Sequence, residues 1–395
     1  MARTMRRAFF LAAIIMLLSA PAFATQYNEK PFVPLSPVVM ADGGSCIASA
    51  QGYNAFFCNP AGFSRGSGAF TLSSSSWVYS RPDLFLSQIA QAIVGIQTPT
   101  SFLNYINSQL TTGGLGAGSS LGIGYVGDGL GLGAAFIVDS SLFGPSLLGV
   151  TGDLTATLGF IGGLSLPFEL GGGMKIHVGA DIRPMIRIHS PITYVTANAI
   201  ISALQTGDSV ISALNPATAY YGSGIGLDLG AIAELGWFSF GLSIRDLGGT
   251  QFNYASNSFG AVTGTLASQG NFPSGSRVSD TYVIPMDVGF GIAFRPDLGR
   301  GNLFFDPLIS FDMRNIVGAI DGSADFWTLL HAGAEIRLLN MLTVRAGLNQ
   351  GYLTFGAGVK VWSLDMNVAI FTQELGAYLG DRPNAGMSIS ADMRI

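Results

Sequence analysis

From Ser67 to the C-terminus the chain alternates apolar and polar residues in stretches of about ten, separated by turn residues, and this pattern occurs fourteen times. The segments fall at 67–79, 117–126, 130–139, 151–163, 173–188, 219–234, 237–246, 281–295, 302–314, 326–338, 341–349, 351–362, 363–373 and 384–395. Period-two alternation places successive side chains on opposite faces of a strand. At 176–188 one face carries Ile176, Val178, Ala180, Ile182, Ile186 and Ile188, and the other carries His177, Gly179, Asp181, Arg183 and Arg187. The last segment sets Met387, Ile389, Ala391, Met393 and Ile395 against Ser388, Ser390, Asp392 and Arg394. Leu353, Phe355, Ala357, Val359 and Val361 likewise oppose Thr354, Gly356, Gly358 and Lys360. The pattern predicts an all-β fold, a 14-stranded antiparallel transmembrane β-barrel with one face of each strand toward lipid.

A cation on the lipid face near the midplane costs about 2–4 kcal/mol, so the charged face is expected to line the lumen. The candidates are His177, Asp181, Arg183, Arg187, Asp228, Arg245, Asp287, Asp312, Arg314, Glu335, Arg337, Arg345 and Lys360. Both signs occur, so pairing across strands and to the N-terminal region is expected over a strongly ion-selective pore. Arg183, Arg187 and Arg345 are the positions expected to meet carboxylates.

Connections after every second segment are short, around 127–129, 169–172, 235–236, 296–301, 339–340 and 362–363, while most others are long. Short inner turns and long outer loops are the barrel arrangement. The tight link at 349–352 breaks the pattern. Two long connections read as helical: 84–110, with Phe102, Leu103, Ile106 and Leu110 at helical spacing, and 193–214, with Ile200, Ile201, Leu204 and Ile211. Such apolar outer helices fit either a lid packed on the loops or a landing groove for an apolar ligand. The connection 248–279, rich in Ser, Gly and Asn, reads as a mobile loop.

The N-terminal part differs. Arg3, Arg6 and Arg7 precede an apolar run from Ala8 to Leu18 and then Ala22-Phe23-Ala24, the pattern of a secretory signal peptide over 1–24, with a transmembrane first helix as the alternative. The next stretch, 25–66, is compact and rich in small residues, holds both cysteines, and precedes the barrel at 67–395. Cys46 and Cys58 in an exported chain suit a disulfide, with two free thiols as the alternative.

Composition narrows the partners. The chain is 48% hydrophobic and 11% charged, against a usual charged share of about a quarter, and contains 54 glycines. With a formal charge of −5 and no basic stripe, nucleic acid is not an expected partner, and outer-membrane lipid is the expected surround. Glycines concentrate on luminal positions: 122, 124, 131, 133, 159, 179, 226, 230, 241, 289, 291, 333, 347, 356 and 358. They either admit another piece of backbone, for which 25–66 is the available candidate, or ease strand curvature.

Catalytic patterns are weak. Gly62-Phe63-Ser64-Arg65-Gly66 and Gly118-Ser119-Ser120-Leu121-Gly122 fit G-x-S-x-G, but neither stands at a strand-to-helix elbow. The three histidines lack metal-ligand spacing, so neither enzyme chemistry, metal nor cofactor is expected.

Asn54-Ala55-Phe56-Phe57-Cys58-Asn59-Pro60-Ala61-Gly62-Phe63 resembles the end of the N-terminal hatch in the FadL/TodX family of outer-membrane transporters for long-chain fatty acids and other hydrophobic compounds. Type IX secretion shuttle barrels share that scaffold. The resemblance implies a hatch plug inside the barrel, with Asn59, Pro60, Ala61, Gly62 and Phe63 at its gate, helical outer loops, and passive uptake of a hydrophobic small-molecule ligand across a bacterial outer membrane. The alternative it leaves is a non-transporting or secretion-associated barrel that binds a protein partner. The cysteine pair and the final Ile395 depart from the family pattern.

Overall fold

The computed structural model describes residues 26–81, 104, 107–110, 114–146, 149–320, 322 and 324–395. The segment 1–24, expected to be a signal peptide, and Phe102, Leu103 and Ile106 lie outside the described residues, as does the Leu204 side chain.

Fourteen antiparallel strands close on themselves. In chain order they are β1 (Ala69–Tyr79), β2 (Leu115–Gly127), β3 (Leu130–Phe143), β4 (Thr151–Leu170), β5 (Met174–Ile192), β6 (Thr218–Leu235), β7 (Phe238–Arg245, resuming at Thr250–Ser258), β8 (Thr281–Ile284 and Asp287–Phe294), β9 (Phe305–Met313), β10 (Leu330–Leu338), β11 (Leu342–Asn349), β12 (Tyr352–Val361), β13 (Leu364–Glu374) and β14 (Pro383–Arg394). Every strand pairs with its sequence neighbour, and β14 returns to β1 in a register that sets Ser388 opposite Trp77. Closure removes the free edges that an open sheet would expose to lipid.

The alternation decides which way each strand faces. Along β5, Val178, Ile182 and Ile186 are exposed, whereas His177, Asp181, Arg183 and Arg187 are buried. Leu353 and Phe355 on β12 are exposed and the intervening Thr354 is fully buried. Trp237, Phe238, Phe304, Phe305 and Trp362 cluster at the short-turn end, the aromatic rim expected where a barrel meets the interface. The tight link between β11 and β12 is a two-residue turn, Gln350-Gly351, in which both residues have positive φ.

The connection 248–279 corrects the mobile-loop expectation. Thr250–Ser258 continues β7 after a break at Asp246–Gly249, pairing with β6 and β8, and a helix follows at Phe259–Gln269. Ser258 caps that helix by accepting from Ala261 N, Gly270 ends it in the left-handed region, and Phe259 and Val262 are buried beneath it. Short polar residues here therefore supply a cap and a stop instead of disorder.

The connection after β5 forms the helices Tyr194–Thr206 and Val210–Leu214. Ile200, Ile201 and Leu110 are buried in one cluster with Leu142, Ile192, Ala219, Tyr221 and Val262, on the outward side of the strand ends. These three side chains are packed as a covering layer and do not form an open groove.

Candidate functional site

Residues 29–65 lie within the lumen. The segment is short of regular structure, with helices only at Pro37–Ala41 and Ala55–Cys58 and 3-10 turns at Gly52–Asn54 and Pro60–Ser64. Its packing is decided by the wall. A β-carbon on Gly179 would stand 2.5 Å from the Pro60 backbone, one on Gly230 1.9 Å from Asn59 Oδ1, and one on Gly333 2.6 Å from Asp42 O. Gly122 similarly faces Tyr53, Gly131 faces Phe63, Gly159 faces Phe32, and Gly356 faces Ala41. Of the fifteen luminal glycines, only Gly226 and Gly358 have no atom of the segment among the three that a β-carbon would meet first. Close approach of the segment, by its side chains at most of these positions and by its backbone at Gly179, Gly241, Gly333 and Gly347, is thus what the glycines serve here, more than curvature.

Between residues 26 and 65 there are four charged residues, and each meets an opposite charge on the wall. Glu29 Oε2 accepts from Arg187 Nη1 at 3.0 Å, while its Oε1 lies 2.7 Å from His189 Nδ1 and accepts from the Tyr254 hydroxyl at 3.1 Å. Burial alone would raise the Glu29 carboxyl, but the hydrogen bond and charge of His189 together with Arg187 outweigh it and hold the carboxyl below its ordinary value. Lys30 Nζ reaches Asp139 Oδ2 at 2.7 Å and Asp153 at 3.3 Å. Asp139 also accepts from Trp77 Nε1 and the Tyr79 hydroxyl. Asp42 lies 3.7 Å from Arg345 Nε, whose shorter bond, 2.7 Å, goes to Glu335. Arg65 Nε donates to Glu234 at 2.7 Å.

Asp42 is the outlier among them. Its Oδ1 is buried without a hydrogen bond, and desolvation pushes its pKa up to about 8, against the opposing charge of Arg345. One guanidinium serves two carboxylates, and Glu335 holds the better geometry, so Asp42 keeps a proton at neutral pH.

The disulfide joins Cys46 Sγ to Cys58 Sγ at 2.08 Å, and the backbone N–H groups of Cys46 and Ile47 both donate to Asp312 Oδ2, at 2.6 and 2.8 Å. Asn59 is buried: its Nδ2 donates to Ile47 O at 3.2 Å and Leu242 O at 3.1 Å, and its Oδ1 accepts from Ala61 N at 3.0 Å. Pro60, Ala61, Gly62 and Phe63 follow, also buried. Arg245 Nη1 donates to Phe57 O, and Ser243 Oγ to Cys58 O at 3.0 Å.

The remaining charged candidates fall into groups. Arg183 Nη2 lies 2.5 Å from Asp228 Oδ1 and 3.1 Å from Asp246 Oδ1, with Asp181 and Arg245 beside them. Arg337 joins Glu335 and Asp306, and Arg314 Nη2 lies 3.0 Å from Cys46 Sγ and 3.6 Å from Asp312. Asp287 accepts from Asn315 N at 2.7 Å. Lys360 is exposed near the short-turn end, opposite Asp365 in the ladder. Glu29, Lys30, Asp42, Asp139 and Trp77 were not picked out from the sequence. The sparse charge of 26–65 was the available signal, because a lone charge in an enclosed segment must be paired.

Two cavities flank the segment. One, about 450 Å³, opens toward the long loops and is lined by Phe32, Val33, Pro34, Leu35, Trp77 and Ile137 among others, with Lys30, Asp139, Arg187, Asp287, Arg314 and Glu374 as its charged groups. The other, about 610 Å³, opens toward the short turns and is lined by Arg65, Arg337, Arg345, Lys360, Glu335 and Asp392 among others. Val39, Cys46 and Asn54 line both.

Ser64 Oγ stands 2.7 Å from His177 Nδ1, whose Nε2 is 3.6 Å from Glu234 Oε2. At that separation His177 Nε2 makes no hydrogen bond to the carboxylate, so Glu234 is a nearby charge and not a partner in a relay. A serine is thus hydrogen-bonded to an imidazole with a carboxylate nearby, but neither cavity is lined by Ser64 or His177, and Ser64 also contacts Ser165 Oγ at 2.8 Å. No room for a substrate adjoins the hydroxyl in these two cavities, and the evident work of these contacts is to tie the end of the luminal segment to β4 and β5.

The closed ladder, the outward apolar band and the paired charges inside leave one assignment. This chain is an integral membrane β-barrel. Among solved structures similar to it are the Pseudomonas putida toluene transporter TodX, at 14% identity over 90% of this chain and 96% of that one with a TM-score of 0.44. The Ralstonia pickettii toluene transporter TbuX is 14% identical over 91% and 97%, TM-score 0.47. A Pseudomonas aeruginosa FadL homologue is 13% identical over 92% and 98%, TM-score 0.45. No family model matches the barrel chain, and the search of curated proteins returns no match.

Proposed function

We propose that this barrel sits in a bacterial outer membrane and takes up hydrophobic small molecules passively, long-chain fatty acids among them, with residues 25–66 as a hatch. The observation that carries the reading is the cavity of about 450 Å³ on the long-loop side of the segment, walled by Phe32, Leu35, Trp77 and Ile137. A pocket mostly apolar with a few polar groups at one side is the form that binds a hydrophobic ligand. The short turns would then face the periplasm and the long loops the exterior. Because the wall is closed and the lumen is filled by a segment held to it by the ion pairs of Glu29, Lys30 and Arg65, net flux depends on movement of that segment. No energy source is required, since transfer down a gradient suffices.

Trp77 supplies the test. Titrating purified protein in detergent with a fatty acid and with a monoaromatic hydrocarbon should change Trp77 fluorescence, and vesicles carrying the protein should take up the binding compound faster than empty ones. A flat titration with unchanged uptake for both compounds overturns the reading. Co-purification of a stoichiometric protein partner in that case would favour a barrel that binds protein in place of transport.

A further inference from the structure

Where the barrier between the two cavities lies can be read from which residues they share. Val39, Cys46 and Asn54 line both cavities, so at that point one layer of side chains separates them. Other parts of the segment are fixed more firmly. The Asn59 side chain is bonded to the backbone on two sides, and the Cβ positions of Gly179 and Gly230 leave Pro60 and Asn59 no room to move toward the wall. Asn54, by contrast, heads the helix Ala55–Cys58 without a capping bond from its side chain, and Val39 is an apolar side chain only half buried. The disulfide bridges these two regimes. Cys58 is anchored through its carbonyl to Ser243 and its neighbour Phe57 to Arg245, while Cys46, whose backbone N–H is held on Asp312 Oδ2, is the fixed member of the thin layer.

We infer that the passage between the cavities runs through the Val39–Cys46–Asn54 layer, that the Cys46–Cys58 bond holds this layer in place, and that the Asn59–Phe63 stretch is the fixed anchor beside it. The inference rests on the uptake reading for its purpose, but its geometry is open to a separate measurement. Opening here needs displacement of the Val39 and Asn54 side chains past Cys46, whose backbone N–H stays on Asp312 Oδ2, without breaking the Asn59 contacts or the ion pairs of Glu29, Lys30 and Arg65. The polarity on the two sides adds a consequence. A solute leaving a mainly apolar chamber for one lined by charges of both signs, Arg337, Arg345 and Lys360 beside Glu335, Asp365 and Asp392, loses its favourable surroundings unless it carries a polar end, so the layer favours amphiphiles over plain hydrocarbons.

The experiment uses the full chain in planar lipid bilayers, where ion current needs no hydrophobic ligand. A Val39→Ala/Asn54→Ala variant, and separately a Cys46→Ala/Cys58→Ala variant, should each conduct several-fold more than wild type while keeping the heat-modifiable gel shift of a folded barrel. Asn54→Trp should reduce vesicle uptake several-fold with the Trp77-side binding of ligand retained, measured by tracer binding because a new tryptophan is introduced. Folded Val39→Ala/Asn54→Ala protein with wild-type current, or undiminished uptake in Asn54→Trp, overturns the inference. Absence of ligand binding and uptake in wild type, alongside the conductance rise, overturns the uptake reading and leaves the thin layer as the barrier.

Discussion

Gly179 lies directly beneath Pro60: a β-carbon built on it would be 2.5 Å from both the carbonyl carbon and oxygen of the proline. Backbone on both sides of that contact leaves nothing flexible to give way. Gly179→Ala is therefore expected to lift the segment at cost of about 1–3 kcal/mol, the usual range for overpacking. Gly171→Ala, where nothing stands within 4 Å, is the matched control. Limited proteolysis of residues 29–65 in folded protein should accelerate for the first variant and not for the second; equal rates would show that the contact is not closely packed.

The two N-terminal charge pairs should differ in weight. Glu29 and Arg187 are both almost fully buried, with side-chain exposures of 1% and 2%, so Glu29→Gln strands a buried guanidinium and should cost about 3–5 kcal/mol. Lys30 is 30% exposed and solvent screens its pair with Asp139, so Lys30→Met should cost at most about 1 kcal/mol. Thermal unfolding of the two variants, measured side by side, checks the order; a larger loss for Lys30→Met would reverse the argument.

Asp42 gives a pH dependence with a defined sign. Its folded pKa of about 8 stands above the ordinary 3.8, so the seated segment holds a proton that the released segment gives up. Stability from this group is full below pH 3.8 and declines as pH rises through 8, with a slope of at most about 1.4 kcal/mol per pH unit. Glu29 works oppositely: its pKa is below the ordinary 4.5, so its contribution is present above that value and lost on acidification. Protease release of the segment followed from pH 5 to 9 should quicken in wild type and stay flat in Asp42→Asn; identical profiles would remove Asp42 as the cause.

Ser64→Ala separates the structural from the catalytic meaning of the Ser64–His177 pair beside Glu234. If the pair is a tether, the variant loses about 1 kcal/mol of stability, and any ester hydrolysis by the preparation is unchanged. Labelling of wild-type Ser64 by a serine-reactive fluorophosphonate would establish a nucleophile instead.

How much of this was legible beforehand follows from the range of the interactions involved. Alternation is local: each strand's lipid and lumen faces can be told from consecutive residues, so Ile182 outward and Arg183 inward needed no partner to be known. The Asn59-Pro60-Ala61-Gly62 stretch was likewise visible as a dense, small-residue motif. The Ser258 cap and Phe259 helix were hidden because Ser, Gly and Asn serve loops, caps and strand ends alike. The partners of Glu29 and Asp42 were hidden for another reason, since Arg187 and Arg345 are brought to them only when the barrel closes.

The sequence by itself determined a fourteen-stranded wall, because a period of two states which face of each strand meets lipid and which meets the lumen. Only the tertiary structure decided what fills that lumen and where it is thin. The glycines mark space without naming its occupant, and charge pairs such as Glu29–Arg187 link residues far apart in the chain whose meeting depends on strand tilt and closure. The separation of the two cavities at Val39, Cys46 and Asn54 belongs wholly to that second level, since none of the three residues carries a local signal of what stands on either side of it.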